Sequence, residues 1–315
     1  MSAKAPARCP VCGGTLRGPI AGFRYDCPDC AYACARPLAA MPDAGAVELH
    51  EDRREAALAP LRARNFEIVL DRLAVCGGEG RLLDVGCAHG WFLDAARRRG
   101  YTASGIEPDA AVAAQAVQRG HDVVHGPFPD VLSPGDRFDV VVFNDVFEHL
   151  PDPRAALFAT ARALRPGGLL AINLPDSRGV FYRLAEALRR IGWRGPHDRL
   201  WQIGFPSPHV SYFHPDALMR LASGICFAEI DRRALPSIAR QGLWQRLRYD
   251  PRASLLSSAA TWLVVALAVP IVRRLPSDIS LTIFRRMPDP RPVDHGDDVR
   301  TGSDAAAGGT MAATR

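Results

Sequence analysis

Short apolar runs alternate with stretches of helical period through the middle of this 315-residue chain. Leu82, Leu83 and Val85 suit a buried parallel strand, and Gly86 permits a sharp exit from it. A helix is expected from about Gly90 to Arg99, stopped by Gly100, then a second strand over Ala103–Ile106. Pro108 opens a helix that continues through Val117 to Gly120. Val123 and Val124 give strand three, Phe138–Phe143 strand four, Asp152–Leu164 a helix, and Leu169–Leu174 strand five after the Gly167-Gly168 turn. A helix over Ser177–Ile191 follows, then strand six at Phe227–Arg232 and strand seven at Ile279–Phe284. Strands alternating with helices predict an α/β fold built on a doubly wound, mainly parallel sheet. Upstream, Leu58, Leu61, Phe66, Val69, Leu70 and Leu73 recur near helical spacing, which predicts one or two leading helices closed by Gly77-Gly78.

Four stretches fall outside this rhythm. Ala35–Gly45 is rich in Ala and Pro and reads as a linker, and Pro288–Arg315 lacks apolar periodicity and is expected to be disordered. Trp193–His214 is a long loop whose length points to function and whose aromatics argue against disorder. Leu235–Asp278 is an insertion between strands six and seven. Within it Ala253–Val272 has no charge, with Arg246, Arg248 and Arg252 before it and Arg273 and Arg274 after it. Its length would cross a bilayer, but strands six and seven must pair on one side of the membrane, which excludes a single span. Two readings remain: a segment lying in the cytoplasmic membrane face with arginines toward anionic headgroups, or a cover for the core or a subunit interface.

Composition narrows the class. Hydrophobic residues make up 48%, and 39 basic against 34 acidic residues give a net charge of +5, too mild to indicate a nucleic-acid partner. Met1–Arg8 has no apolar run, so no secretory signal is expected and the chain reads as cytoplasmic. The eight cysteines then read as thiols or metal ligands. Cys9-Pro-Val-Cys12 and Cys27-Pro-Asp-Cys30 are separated by fourteen residues, and two such turns complete a tetrahedral sulfur site suited to Zn²⁺. Residues 1–38 are therefore expected to form a zinc ribbon, its hairpin over Thr15–Tyr25 with Gly18-Pro19 near the turn, and with Cys34 close enough to be an alternative ligand. Four protein ligands leave no open position, so the metal would be structural.

The turn after strand one decides the ligand of the larger domain. A dinucleotide fingerprint needs a third glycine where this chain has Trp91, and a P-loop needs a Gly-Lys-Ser/Thr that is absent. What stands there is Asp84-x-Gly86-x-Ala88-x-Gly90. With Glu107 ending strand two, Asn144-Asp-Val-Phe-Glu-His-Leu-Pro-Asp152 after strand four and Leu164-Arg-Pro-Gly-Gly168 before strand five, the chain resembles the class I S-adenosylmethionine-dependent methyltransferases. The match is close over Arg81–Pro175 and looser to Met287. The resemblance implies a seven-stranded sheet with strand seven antiparallel, over residues 77–287, preceded by a linker and leading helices at 39–76. It also implies that Asp84, Gly86, Cys87, Ala88 and Gly90 wrap the methionine end of the cofactor. Glu107 would accept from both ribose hydroxyls, adenine would lie against His125–Phe128 (with Pro127 and Phe128), and Asn144 would face the site. The residues agree: a small-residue turn brings backbone amides to the cofactor carboxylate at a helix N-terminus, and Asp84 can meet its ammonium.

Methyl transfer from a sulfonium needs alignment and often a base. His149 follows strand four on the side where such sheets bind ligands, as a base or acceptor clamp or as packing for the Pro151 turn. Pro208–Leu218 resembles a segment that lies over the acceptor site in one group of these enzymes, which makes His209, Tyr212 and His214 further candidates. The expected function is methyl transfer to a small-molecule, sugar or lipid-linked glycan acceptor, to oxygen before carbon, with 253–272 either touching the membrane or covering the core or a subunit interface. An rRNA base methyltransferase is the alternative, but Arg8, Arg17, Arg24 and Arg36 form no dense stripe with aromatics. A non-catalytic, cofactor-binding assembly module is the third reading.

Overall fold

The computed structural model describes residues 8–36, 51–205, 207–238, 244, 255–272 and 274–288. Three short strands come first: β1 (Arg17–Ile20), β2 (Arg24–Asp26) and β3 (Ala33–Ala35), successive antiparallel neighbours. The β1–β2 turn spans residues 21–23 and is made by Ala21 and Gly22, both at positive φ (54° and 93°). Gly18 and Pro19 therefore lie inside β1 rather than at the turn, and Ala35, expected in the linker, is in β3. Most of the expected linker, and the tail beyond Pro288, lie outside the described residues.

One helix, α1 (Glu51–Val75), leads into the sheet and buries Val69, Leu70 and Leu73. Then follow β4 (Arg81–Val85), α2 (Trp91–Arg98), β5 (Thr102–Glu107), α3 (Ala110–Gln118), β6 (Asp122–His125) and β7 (Phe138–Asn144). A 3-10 turn (Phe147–His149), α4 (Pro153–Ala163), β8 (Leu164–Pro175), α5 (Val180–Arg190), α6 (Gly195–Leu200) and β9 (Ser211–Tyr212) continue the chain. It closes with α7 (Pro215–Ser223), β10 (Phe227–Leu235), α8 (Leu255–Val272) and β11 (Ile279–Arg286). The seven-stranded sheet has the order β10-β11-β8-β7-β4-β5-β6, with β11 antiparallel to both neighbours and the other pairs parallel, as expected. Val140–Phe143 of the central strand β7 are fully buried, which explains an unbroken apolar run where a half-exposed strand would alternate.

Helix starts are fixed by side chains. The Asp109 carboxylate accepts from the Ala111 and Val112 amides to cap α3, and Asp152 caps α4 through Arg154 and Ala155. The Nδ1 of His214 accepts from the Asp216 amide and caps α7, so this candidate acceptor residue is a helix cap in the structure.

The 193–214 stretch is not structureless. Helix α6 and strand β9 lie within it, and β9 pairs with β3, extending the ribbon to the order β1-β2-β3-β9. No helix among the described residues is long and apolar enough to cross a membrane. Helix α8 buries Ala266 and Val269 while Leu263 and Leu267 stay 54% and 65% exposed.

Candidate active site and four-cysteine cluster

The carboxyl ends of β4 and β7 meet around a cavity of about 160 Å³ whose lining includes Asp84, Gly86, Cys87, Ala88, Trp91 and Asn144. Gly86 and Gly90 both adopt positive φ (73° and 81°). A Cβ on Gly86 would sit 2.5 Å from Val146 Cγ2, and one on Gly90 would sit 2.4 Å from His121 Cδ2. Both glycines are thus dictated by backbone conformation and by the close approach of Val146, just after β7, and His121, just before β6. Ala88 also has positive φ (46°), so a methyl group is tolerated where the sequence pattern favours glycine. Cys87 also lines the cavity; its side chain is buried, and its Sγ fills the space a Cβ on Gly105 would need.

Three side chains form a polar line across the strand ends. Asn173 Nδ2 donates to Asn144 Oδ1 at 3.4 Å, and Asn144 Nδ2 donates to Asp84 Oδ1 at 3.2 Å. Asp84 is 2% exposed, and burial first, then the charge of Glu107, pushes its carboxyl up to about 8 despite the Asn144 bond. A cationic group in the cavity would restore its ionised form. Glu107 is held from both sides, its Oε2 accepting from the Ala88 amide at 2.9 Å and its Oε1 from the Asp109 amide at 3.0 Å. Those bonds oppose the upward shift that its burial imposes. The Gly126 amide donates to the Glu107 carbonyl, which carries Pro127 and Phe128 past this carboxylate, and Phe128 packs edge-on against Phe143 at 5.4 Å. These residues fit S-adenosylmethionine in kind: a buried acid for an ammonium, a fixed carboxylate for ribose hydroxyls, and an aromatic-edged loop beyond it.

Helix α1 also reaches this cavity, which no pattern in the chain indicated. Arg62 and Phe66, one helical turn apart, line the same cavity, and Phe66 meets Phe92 edge-on at 5.2 Å. The charge of Arg62 opposes the burial-driven rise of Asp145. Their signal, a cation and an aromatic four apart on a helix face, is indistinguishable in sequence from an ordinary amphipathic face.

On the other side of the β7 loop, His149, His209 and Tyr212 come together. The rings of His149 and His209 lie 4.8 Å apart, and those of His209 and Tyr212 lie 5.5 Å apart. Hydrogen-bond directions fix their protons. The Tyr212 hydroxyl donates to the Leu200 carbonyl at 3.0 Å, so it accepts from His209 Nδ1 at 3.3 Å, leaving His209 Nε2 to accept from Gln202 Nε2 at 2.8 Å. His149 Nδ1 lies 2.9 Å from the Pro208 carbonyl, to which it donates, and 3.2 Å from the Ser207 hydroxyl. Tyr212 is 3% exposed and its proton is committed to a carbonyl. Glu148, also buried, has one carboxyl oxygen without a hydrogen bond among the described residues. Burial, then the nearby Asp145, holds Glu148 well above the ordinary carboxyl range, and its Oε1 lies 3.9 Å from His209 Nε2.

The four cysteines of the two Cys-x-x-Cys turns also meet. Cys9 and Cys30 sulfurs are 3.6 Å apart, Cys12 and Cys27 sulfurs 3.4 Å apart, and all four lie within 4.8 Å of one another. Zn–S bonds of about 2.3 Å in a tetrahedron place sulfurs about 3.8 Å apart, so the set has the size of such a site. The turns are equivalent: Gly13 and Ala31, each just after the second cysteine, both have positive φ, and their amides donate to the carbonyls of Cys9 and Cys27. Burial pushes the Cys9 thiol up to about 11, and a bound cation would supply the charge that makes thiolates of these groups. The buried Cys34 is not part of this cluster. It pairs with Ser211 across β3 and β9.

The profile of a methyltransferase domain family matches residues 50–225, more than half of the chain, so the chain belongs to that family. The ribbon lies outside the matched segment. The ubiquinone biosynthesis O-methyltransferase of Alkalilimnicola ehrlichii is 31% identical over 182 residues, which cover 52% of this chain and 72% of the relative. The enzyme of the same name from Aeromonas salmonicida is 30% identical over 152 residues, covering 45% of this chain and 60% of its own. Among solved structures, a complex between the Haloferax volcanii Trm112 methyltransferase activator and a methyltransferase matches with a TM-score of 0.53 at 15% identity, covering 78% of this chain and 100% of the other. That likeness shows the fold alone. Fold, site and family together make the chain an S-adenosylmethionine-dependent methyltransferase of the class I fold.

Proposed function

We propose that this methyltransferase acts on an oxygen of a small or lipid-linked acceptor, with His149 as the base. The observation that carries this reading is the place of His149: it ends the loop after β7, five residues past Asn144 of the cavity wall, with Nδ1 held by the Pro208 carbonyl and its ring 4.8 Å from that of His209. The cofactor supplies an activated methyl group when bound. Asp84 receives its ammonium, Glu107 its ribose, Arg62 its carboxylate, and Phe128 borders its adenine. His209 and Tyr212 shape the acceptor wall rather than exchange protons, because both His209 nitrogens and the tyrosine proton are already engaged. The names of the relatives, which specify O-methyl transfer in ubiquinone biosynthesis, support oxygen over carbon and an apolar acceptor over a sugar.

Two parts of this reading concern the rest of the chain. Cys9, Cys12, Cys27 and Cys30 hold a structural Zn²⁺. Helix α8 rests on the inner face of the cytoplasmic membrane through Leu263 and Leu267, beside a cleft of about 500 Å³ lined by Arg64 and Arg274 that suits anionic headgroups.

The test is incubation with methyl-labelled S-adenosylmethionine and a fractionated cell extract. Label in the lipid-soluble fraction, alkali-stable as an ether, is expected. Label confined to RNA, or cofactor binding with no transfer to any fraction, contradicts the proposal.

A further inference from the structure

The ribbon is joined to the acceptor side of the catalytic domain by main chain, buried charge and aromatic packing at once. Strand β3 pairs with β9 through Ala33↔Tyr212 and Cys34↔Ser211, and the Ala35 amide donates to the Val210 carbonyl at 3.0 Å. On its other side the same segment is tied to the β7 loop: the Val210 amide donates to the Glu148 carbonyl at 3.0 Å, and the Pro208 carbonyl receives His149. Residues 208–212 are therefore clamped between the ribbon and the His149 turn, and His209 sits in the clamped stretch.

Side chains repeat the pattern. The hydroxyls of Tyr32 and Ser211, both 2% exposed, are 2.7 Å apart in a buried hydrogen bond. Arg24 of β2, 5% exposed, forms two bonds of 2.6–2.7 Å with Asp26, pairs with Glu186 of α5 and lies 3.2 Å from His197 Nε2 of α6. Arg189 also pairs with Glu186, which balances the group as two cations and two anions. Phe23 stacks edge-on against the fully buried Trp201, which in turn meets Tyr212. By contrast, among the described residues no hydrogen bond or ion pair links residues 8–36 to Asp84, Gly86 or Glu107.

We infer that the ribbon is a structural half of the acceptor site, with Arg24 and Tyr32 as positioning residues that fix strand 208–212 and thereby the His149–His209 pair. A ribbon that served only to dock an outside partner would not bury an arginine and a tyrosine hydroxyl against the host domain. An unpaired buried charge or hydroxyl costs more than its hydrogen bond returns, so each side of this contact is ordered only when the other is in place. The cysteine cluster, at the other end of β2 and β3, then sets acceptor geometry without touching the cofactor. The inference rests on the reading of His149 and His209 as the acceptor side.

The test uses the full chain, wild type against Tyr32→Phe and, separately, Glu186→Gln. It follows amide exchange by peptide and the imidazole signals of His149 and His209, assigned through His149→Gln and His209→Gln. Tyr32→Phe is expected to speed exchange over 208–212 about fivefold, the equivalent of one net hydrogen bond, and to shift the His209 imidazole signal. Exchange over 81–107 and the Kd for S-adenosylhomocysteine should change less than about twofold in both variants, since neither touches the cofactor cavity. Glu186→Gln should loosen α6 and 208–212 together. Unchanged exchange and imidazole signals in both variants would overturn the coupling, as would cofactor affinity falling in step with exchange. Failure of wild type to bind S-adenosylhomocysteine would instead remove the methyl-transfer reading, so the two failures are distinguishable.

Discussion

Glu107→Gln isolates the ribose contact in the proposed cofactor site. The wild-type carboxylate is held by two backbone amides, Ala88 on one oxygen and Asp109 on the other, and it can still accept from the ribose hydroxyls through its remaining lone pairs. Glutamine removes the charge and turns one oxygen into an N–H donor that must face one of those amides, donor against donor. Charge-assisted hydrogen bonds are worth about 1.5–3 kcal/mol, so the Kd for S-adenosylhomocysteine should rise roughly 10- to 150-fold. The donor clash alone could weaken the site by distorting the turn, so the informative quantity is a double-mutant cycle with the 2′-deoxy cofactor analogue, read by titration calorimetry. Wild type should lose about tenfold in affinity for the deoxy analogue, and the variant should lose little, a coupling of about 1 kcal/mol or more. If the variant discriminates between the two ligands as strongly as wild type does, Glu107 does not bind ribose and the reasoning fails.

The remaining predictions concern the turn, the buried acid and the metal. Gly86→Ala, whose Cβ would lie 2.5 Å from Val146 Cγ2, should weaken S-adenosylhomocysteine binding at least about tenfold by calorimetry. Gly100→Ala has the same strained positive φ but open space, and should cost about 1 kcal/mol in denaturant unfolding with unchanged affinity. Because burial raises Asp84 to about 8, the stability its neutral form contributes is complete below about pH 4 and lost as pH rises through 8. Pairing with an ammonium requires the proton to leave. Affinity measured in wild type should therefore climb from pH 6 to 8 and level above it, relative to an Asp84→Asn control that lacks this Asp84-linked component. Metal analysis should find one zinc per chain, and Cys9→Ser should lower its content and the unfolding temperature together.

The sheet was legible because burial on both faces writes continuous apolar runs, as at Val140–Phe143, and because Gly and Asp mark the turns between them. The cysteine cluster was legible because ligand spacing within a tight turn is local. Long-range placement was not. Tyr212 reads as a candidate for acceptor contact, and nothing local to it tells that β9 pairs with β3, a contact between residues 179 apart for Tyr32 and Ser211. His214 reads as a ligand candidate until its Nδ1 is seen accepting the α7 amide. Arg62 and Phe66 lie on a helix whose pattern says which face is buried but not against what. The Gly18-Pro19 pair is a turn signal by composition and lies beside the turn, but the positive-φ residues Ala21 and Gly22 make it, a conformation that proline, with φ near −65°, cannot adopt.

The most direct measurement is single-turnover methyl transfer to the acceptor fraction by wild type and His149→Gln at equal cofactor occupancy. The account predicts an unchanged Kd for S-adenosylhomocysteine and a transfer rate lowered by about 10²–10⁴-fold, partly recovered at higher pH where the acceptor hydroxyl ionises unaided. Equal rates for the two proteins across the pH range would contradict it.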